Sequence, residues 1–409
     1  MGRSAHRAGG SGAQVTAPTA AAFTLLNARF GDGNMGSLRV VGTRIAALNV
    51  NPQPEDLIVD LAGDRLLPGL INAHDHLQLN SLPAHETLGR YRHARDWISE
   101  IDSRRRSDPQ FAAGVAVPRN DRLLVGGIKN LLSGVTTVAH HDPLYPYLVG
   151  SECPVGVVRN FGWSHSLYID GEEKVLASYR STPAEWPWII HAAEGLDEEA
   201  RAEFDRLEAH GCIQQNTLLV HGIALDQRQR RRLADASAGL VWCPSSNQNL
   251  FGKTADVADL IAAGRVALGT DSRLSGARDL LEELRIAGQI TGLGEAALES
   301  LVTRDGADLL RLNDRGALRP GLRADLLVLP ARTRLAAAAR ADVRLVMVGG
   351  TAGYGDSDCA GRFAPSTEWA HVLVDGRPKV LHGQTAKRLA HARAAERGLE
   401  ISNVTWRAA

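Results

Sequence analysis

The sequence predicts an α/β protein whose parallel-sheet centre is flanked by smaller β-rich segments at both chain ends. Three observations carry that reading. From Pro68-Gly69 to about residue 317, strand-like apolar runs alternate with helical patterns, the signature of βα units and a parallel sheet. Residues 22–66 and the stretch beyond Gly321 instead hold short strand-like pieces separated by turns, as in antiparallel β units. Finally, 409 residues, 44% of them hydrophobic, exceed the roughly 250 that one α/β barrel needs, which leaves material for a second unit.

In order along the chain, the first β-rich segment contains strand-like pieces at 23–26, 37–41, 44–49, 57–61 and 65–67. Residues 70–73 form a short buried strand. Leu124, Ile128, Leu131 and Leu132 recur at helical spacing over 121–133, Gly134 stands at the C-cap, and 135–139 is a β-branched strand. Residues 186–190 are apolar, and Asp197 N-caps a helix running to about Ala209. Strands follow at 217–220, 240–243 and 266–269. Asp226 caps a helix after the first of these, a helix over 256–263 lies between the other two, and one over 277–290 comes last. Beyond Gly321, strands are expected at 324–329, 343–348 and 371–374. Asp375-Gly376 is a hairpin turn before 379–381, and a helix over 385–397 closes the pattern.

Composition excludes several function classes. Lys and Arg total 46 and so do Asp and Glu, so no basic excess supports nucleic-acid or anionic-membrane binding. Cys153, Cys212, Cys243 and Cys359 are scattered without a CxxC pair, which fits a reducing, cytoplasmic compartment. No apolar run approaches the ~20 residues that cross a bilayer. Residues 1–20, rich in Gly, Ala and Ser, lack the compact apolar segment of a signal peptide and read as a flexible tail.

The chemistry lies at the strand ends, which in an α/β barrel point into the active site. His74 and His76 follow the strand at 70–73, and alternate strand residues share a face. His191 follows Ile189-Ile190, His221 follows Leu219-Val220, and Asp271 follows Leu268-Gly269-Thr270. A single strand-end histidine is more often a satisfied polar residue than a ligand, and Asp271 alone could cap a turn. Together, three histidines and a carboxylate make a sensible first shell for a catalytic zinc or another borderline divalent ion.

The strings Leu66-Leu67-Pro68-Gly69-Leu70-Ile71-Asn72-Ala73-His74-Asp75-His76, Gly134-Val135-Thr136-Thr137-Val138, His191-Ala192-Ala193-Glu194, Val220-His221-Gly222, Cys243-Pro244-Ser245-Ser246-Asn247, Gly269-Thr270-Asp271-Ser272 and Pro320-Gly321-Leu322-Arg323-Ala324-Asp325 run in an order that resembles the metal-dependent amidohydrolase superfamily. The nearest branch is the one containing cytosine deaminase, guanine deaminase and chlorotriazine hydrolase. The resemblance implies a distorted (β/α)8 barrel over 67–317 and a small β-sandwich built from 21–66 and 318–383, with 384–409 left as a C-terminal helix and tail. It also implies one metal ion, zinc with iron or manganese as alternatives, held by His74, His76, His191 and Asp271. Glu194 would then be the proton-transfer carboxylate and His221 the group that orients water or substrate.

The chain's five lysines include none at the end of a convincing barrel strand, which disfavours the two-metal branch with its carboxylated lysine. The expected reaction is hydrolytic deamination of an aminated heterocycle. A cyclic or linear amide substrate would use the same residues, and a barrel that binds without catalysis is the reading from another class. A dipole-stabilised carboxylate at a helix start is the bland alternative for Glu194, but the helix begins only at Asp197. Asn247, Arg273, His140, His165 and Trp97 are the candidate contacts for a small-molecule substrate, and homo-oligomers are common in the family.

Overall fold

The computed structural model describes residues 22–402, so the expected 1–20 tail lies outside the described residues. Five short strands open the chain: β1 (Ala22–Arg29), β2 (Met35–Val41), β3 (Arg44–Leu48), β4 (Leu57–Asp60) and β5 (Arg65–Pro68). Eight more follow: β6 (Leu70–Asp75), β7 (Val135–His140), β8 (Gly156–Val157), β9 (Gly162–Ser166), β10 (Trp188–Ala192), β11 (Thr217–His221), β12 (Gly239–Trp242) and β13 (Val266–Leu268). The last six are β14 (Leu326–Leu329), β15 (Leu345–Val348), β16 (Thr351–Gly355), β17 (Trp369–Val374), β18 (Arg377–His382) and β19 (Leu399–Ile401).

The middle group is parallel throughout. β13-β12-β11-β10-β9 form one sheet and β6-β7-β8 another. A parallel bridge between Asp75 and Asp271 joins the end of β6 to the chain just after β13. Among the described residues no ladder continues from β8 to β9, so the arrangement is TIM-barrel-like with an open seam there. The two-residue period is plain in the packing. Ile71, Ala73, Ile189, Leu218, Val220, Val241 and Ala267 gather in one inner apolar cluster. Their neighbours Leu70, Trp188, Ile190, Leu219, Leu240, Trp242 and Leu268 belong to the larger cluster shared with the helices. The helices Arg119–Leu132, Glu198–Ala209, Gln227–Asp235 and Leu280–Thr291 supply that outer layer. The Asp197 and Asp226 side chains cap the second and third as expected, each accepting a backbone N–H three residues on.

Both chain ends meet in one 11-stranded sheet ordered β19-β17-β18-β16-β15-β14-β5-β1-β2-β3, with β4 beside β1. β5 and β14 pair antiparallel and weld the two ends together. Phe23, Leu25, Leu38, Val40, Leu326, Val328, Leu345 and Met347 fill this region's own core.

Two expectations are corrected here. The final helix spans Gly383–His391 rather than reaching 397, and β19 adds to the sheet edge beside β17 where a tail was expected. Glu396, gripped by Arg273 and Arg340, anchors the chain just before that strand. Three residues are too short a run for alternation to be read from sequence. The strands β8 and β9 were likewise missed, since Gly156–Val157 and Gly162–Ser166 carry no apolar run. No helix among the described residues is long and apolar enough to cross a membrane.

Candidate metal and catalytic site

The alternation along β6 is broken where it matters. Ile71 and Ala73 face the inner cluster, and a register irregularity between Asn72 and Asp75 then shifts the pattern. His74 and His76 thereby turn to the site, while Asp75 turns into a buried polar network. Its carboxylate is bound by Lys129 Nζ (3.2 Å), Asn80 Nδ2 (2.7 Å), Asn130 Nδ2 (2.8 Å) and Asn72 Nδ2 (3.2 Å). Lys129 Nζ also donates to Asn80 Oδ1 (2.8 Å) and Thr270 Oγ1 (3.0 Å). This lysine, placed on a helix and fully buried, thus ties the residue between two histidines to the residue before Asp271.

Asp271 arrives by a close approach that only glycine permits. A Cβ on Gly269 would lie 2.7 Å from His74 Cβ. The Thr270 and Asp271 N–H groups both donate to the His74 carbonyl (3.0 and 3.1 Å), and His76 N–H donates to the Asp271 carbonyl (2.7 Å). Ala193, His221 and Asp271 all adopt left-handed backbone, with φ of 54°, 73° and 57°. For residues with a Cβ this costs on the order of 1–3 kcal/mol each and persists only where the surroundings impose it. At Ala193 the imposing group is Glu203, whose carboxylate accepts the Ala193 N–H at 2.8 Å and so sets the turn that presents Glu194.

His74, His76, His191 and Asp271 converge. His191 Nε2 lies 3.3 Å from His74 Nε2, and Asp271 Oδ1 lies 3.6 and 3.5 Å from Nε2 of His74 and His76. Each ring but one is steered by its other nitrogen: His76 Nδ1 meets Asp142 Oδ2 at 2.7 Å, and His191 Nδ1 faces the His165 carbonyl at 2.9 Å. His74 Nδ1 is buried without a partner. Asp271 Oδ2 accepts from the Ser246 and Ser275 hydroxyls at 2.6 and 2.7 Å, which leaves Oδ1 for the site.

Burial opposes charge throughout. It pushes His74 down to about 4 and His191 well below its ordinary value. Burial works against His76 too, but Asp142 and Asp271 outweigh it and hold that ring up to about 9. Burial tends to raise Asp271, yet the surrounding imidazoles keep it well below the usual carboxylate range. These groups fit a divalent metal ion. The donor spacings of 3.3–3.6 Å, from His74 to His191 and from Asp271 to His74 and His76, are short enough for these atoms to share one ion. Two of the three rings have fixed Nδ1 partners. Burial favours the neutral form of His74 and His191, and the Asp271 carboxylate is held deprotonated, while His76 must give up its proton when an ion binds.

Beside this cluster, His221 Nε2 lies 3.6 Å from Glu194 Oε1, and Glu194 Oε2 accepts the Tyr168 hydroxyl at 3.2 Å. Burial raises the Glu194 pKa, against the pull of His221. A cavity of about 200 Å3 opens onto His76, His191, Glu194, His221 and Asp271. Trp97 and His165 stand on its wall, together with Ile98, Ile101 and Leu274.

Three expected substrate contacts face elsewhere. Asn247 is fully buried and uses Oδ1 to hold His221 Nδ1 at 2.8 Å while Nδ2 donates to Thr254. Arg273 forks onto Glu396 at 2.9 and 3.0 Å and donates to the Arg278 carbonyl, so its guanidinium is spent on a buried ion pair. His140 is buried off the cavity, with Nδ1 accepting the Leu77 N–H; its neighbour His141, pointing to the other face, lies against His74 and His191. Sequence reasoning missed Asp142, Tyr168, Glu203 and Lys129. Asp142 was readable as the next residue after the His140-His141 strand end. The other three sit on helices, where nothing in the spacing marks them.

A family profile described as the Amidohydrolase family matches residues 181–353, the stretch carrying His191, Glu194, His221 and Asp271. Over that stretch, which is less than half of the chain, the sequence resembles the amidohydrolase family. Two of its relatives are 5-methylthioadenosine/S-adenosylhomocysteine deaminases. That from Pelotomaculum thermopropionicum is 36% identical over 160 residues, covering 35% of this chain and 37% of the relative. That from Halobacterium salinarum is 27% identical over 329 residues, covering 67% and 74%. Among solved structures, an atrazine chlorohydrolase from Arthrobacter aurescens TC1, complexed with zinc, superposes with a TM-score of 0.67 at 17% identity, over 81% of this chain and 94% of that one. The last likeness establishes the fold. The family match, the deaminase relatives and the clustered histidines together support a metal-dependent hydrolase that uses one divalent ion.

Proposed function

We propose that this protein deaminates a small, uncharged aminated heterocycle by hydrolysis. The observation that carries the reading is the Glu194–His221 pair, 3.6 Å apart on the wall of the cavity shared with the ligand cluster. The deaminase names of the relatives support it, and so does the cavity's chemistry. At about 200 Å3, walled by Trp97, Ile98 and Ile101, it suits a planar ring. Neither Lys nor Arg stands on that wall, so away from the ion site a carboxylate or phosphate substituent would find no permanent cation.

We assign His74, His76, His191 and Asp271 as ligands and zinc as the ion, for which iron or manganese could substitute on the same donors. Held there, the ion supplies Lewis acidity, lowering the pKa of water from about 15.7 to roughly 7. Asp271 Oδ1 takes the proton that the attacking water gives up. His221 Nε2, its ring fixed by Asn247, orients the attack. Glu194, kept protonatable by burial, delivers a proton to the departing nitrogen, so that an amine plus water yields a carbonyl plus ammonia. His165 and Trp97 hold the ring. We take the two parallel sheets as halves of a distorted (β/α)8 barrel over 67–317, and the terminal sheet of 21–66 and 318–383, extended by β19, as a small sandwich. All four cysteines are free thiols, in keeping with a cytoplasmic setting.

The test is a screen of metal-loaded protein against aminopurines, aminopyrimidines, pterins and triazines, scored for ammonia, beside cyclic and linear amides scored for ring opening or cleavage. Ammonia from an amino heterocycle is the expected result. Amide cleavage without ammonia from any heterocycle would overturn the deaminase reading.

A further inference from the structure

We propose that His141 is a fifth protein ligand, a fourth imidazole on the ion assigned to His74, His76, His191 and Asp271. The inference rests on that metal site. It starts from backbone placement: His141 directly follows β7, its N–H donates to the Asp75 carbonyl at 3.1 Å, and its side chain lies on the face opposite His140. The ring is buried among the assigned ligands, with centroids 4.4 Å from His191, 5.0 Å from His74 and 5.9 Å from His76. The edge-on indole of Trp163, 5.5 Å away, packs beside it.

Two facts separate His141 from an ordinary buried histidine. Its Nε2 faces the Ser164 carbonyl at 3.0 Å, an acceptor only, so that nitrogen carries the hydrogen and Nδ1 carries the lone pair. Nδ1 is buried and has no hydrogen-bond partner. A buried acceptor without a donor calls for an explanation, and an ion supplies one. The second fact is convergence. One ring nitrogen each from His74, His76, His141 and His191 lie mutually within 4.8 Å. The Ser164 carbonyl thus does for His141 what the His165 carbonyl does for His191: it fixes the tautomer.

Four imidazoles and one carboxylate make a richer donor set than the three protein ligands of many catalytic zinc sites. Such a set should hold the ion more tightly and at a higher coordination number. The experiment uses the full chain loaded with zinc and, separately, with cobalt. Metal analysis comes first, then X-ray absorption to count imidazoles around zinc, and the visible spectrum of the cobalt form to read coordination number. Wild type should show four imidazoles and the weak bands of a five- or six-coordinate ion. His141→Ala should show three, stronger bands, and at least a 10-fold loss of zinc affinity in competition with a chelator. Three imidazoles in wild type, or an unchanged count and spectrum in His141→Ala, would overturn the role of His141 while leaving the metal site intact. Protein that binds no metal at all would overturn both. Should the variant fail to fold, the wild-type count still decides.

Discussion

Where β6, β10, β11 and β13 end, the buried side chains are imidazoles and carboxylates; where β1, β2, β14 and β15 pack, they are Phe23, Leu25, Leu38, Val40, Leu326, Val328, Leu345 and Met347. Both regions exclude water, but they use the exclusion differently. In the terminal sheet, burial of apolar surface stabilises the fold at roughly 25 cal/mol per Å2. At the strand ends the same burial opposes folding, since it strips water from His74, His191 and Glu194 and surrounds three left-handed non-glycine residues. The site is thus a region of stored cost, maintained by apolar packing elsewhere in the molecule.

The sharpest way to probe that contrast is at Glu194, where the effect on turnover should be largest. Glu194→Gln keeps the shape and removes the proton, so kcat/KM should fall about 10²–10⁴-fold. Metal content and the unfolding midpoint should stay close to wild type. If the metal left with the activity, Glu194 would belong to the ion's support and not to proton transfer.

Lys129 comes next, because it touches both properties. Lys129→Met removes the cation and strands the Asp75 carboxylate in a fully buried pocket, a change expected to cost about 3–5 kcal/mol in denaturant unfolding. Asp75 and Thr270 flank the ligands proposed above, so zinc affinity should fall as well. A loss under about 1 kcal/mol would mean the asparagines alone satisfy Asp75.

The third probe is pH. Burial pushes Glu203 up to about 8 from an ordinary 4.5. Between those values the folded protein keeps a proton that the unfolded chain has released, so this group makes stability fall as pH rises from 4.5 to 8. Glu203→Gln should flatten that slope in thermal unfolding measured from pH 5 to 8, with a modest effect on turnover because the amide oxygen can still accept the Ala193 N–H. A slope identical to wild type would assign the pH dependence to other groups. Smallest in its effect on the site is Leu345→Ala in the terminal sheet. It should lose about 2–5 kcal/mol of stability with turnover per folded molecule unchanged. A matching fall in turnover would show that the two regions are not separable.

The same contrast explains what could be read from the sequence. His74, His76, His191, His221 and Asp271 were visible because each ends an apolar strand, and a period of two needs only a few residues to show. The Asp197 and Asp226 caps were visible for a similar reason, local chemistry beside a helical repeat. Lys129 and Glu203 were not, since a polar residue inside a helix looks solvated until tertiary packing buries it. Arg273 and Asn247 lie just beyond strand ends, as His191 and Asp271 lie at them, yet their partners are Glu396 and His221, 123 and 26 residues away. Proximity to a strand end locates a residue near the site but does not say which way its side chain turns.

The ladder between β5 and β14 has a consequence in time. Leu66 pairs with Val328, about 260 residues later. At roughly 5–20 residues per second of synthesis, β5 emerges from the ribosome on the order of 13–50 s before its partner exists. Meanwhile every strand of the barrel-like centre has been made. The centre can therefore begin to assemble on a nascent chain whose terminal sheet is unfinished, with the open edge of β5 available to the wrong strand. Welding the two chain ends into one sheet makes the finished protein cooperative, and it makes the half-made protein the species most in need of a chaperone.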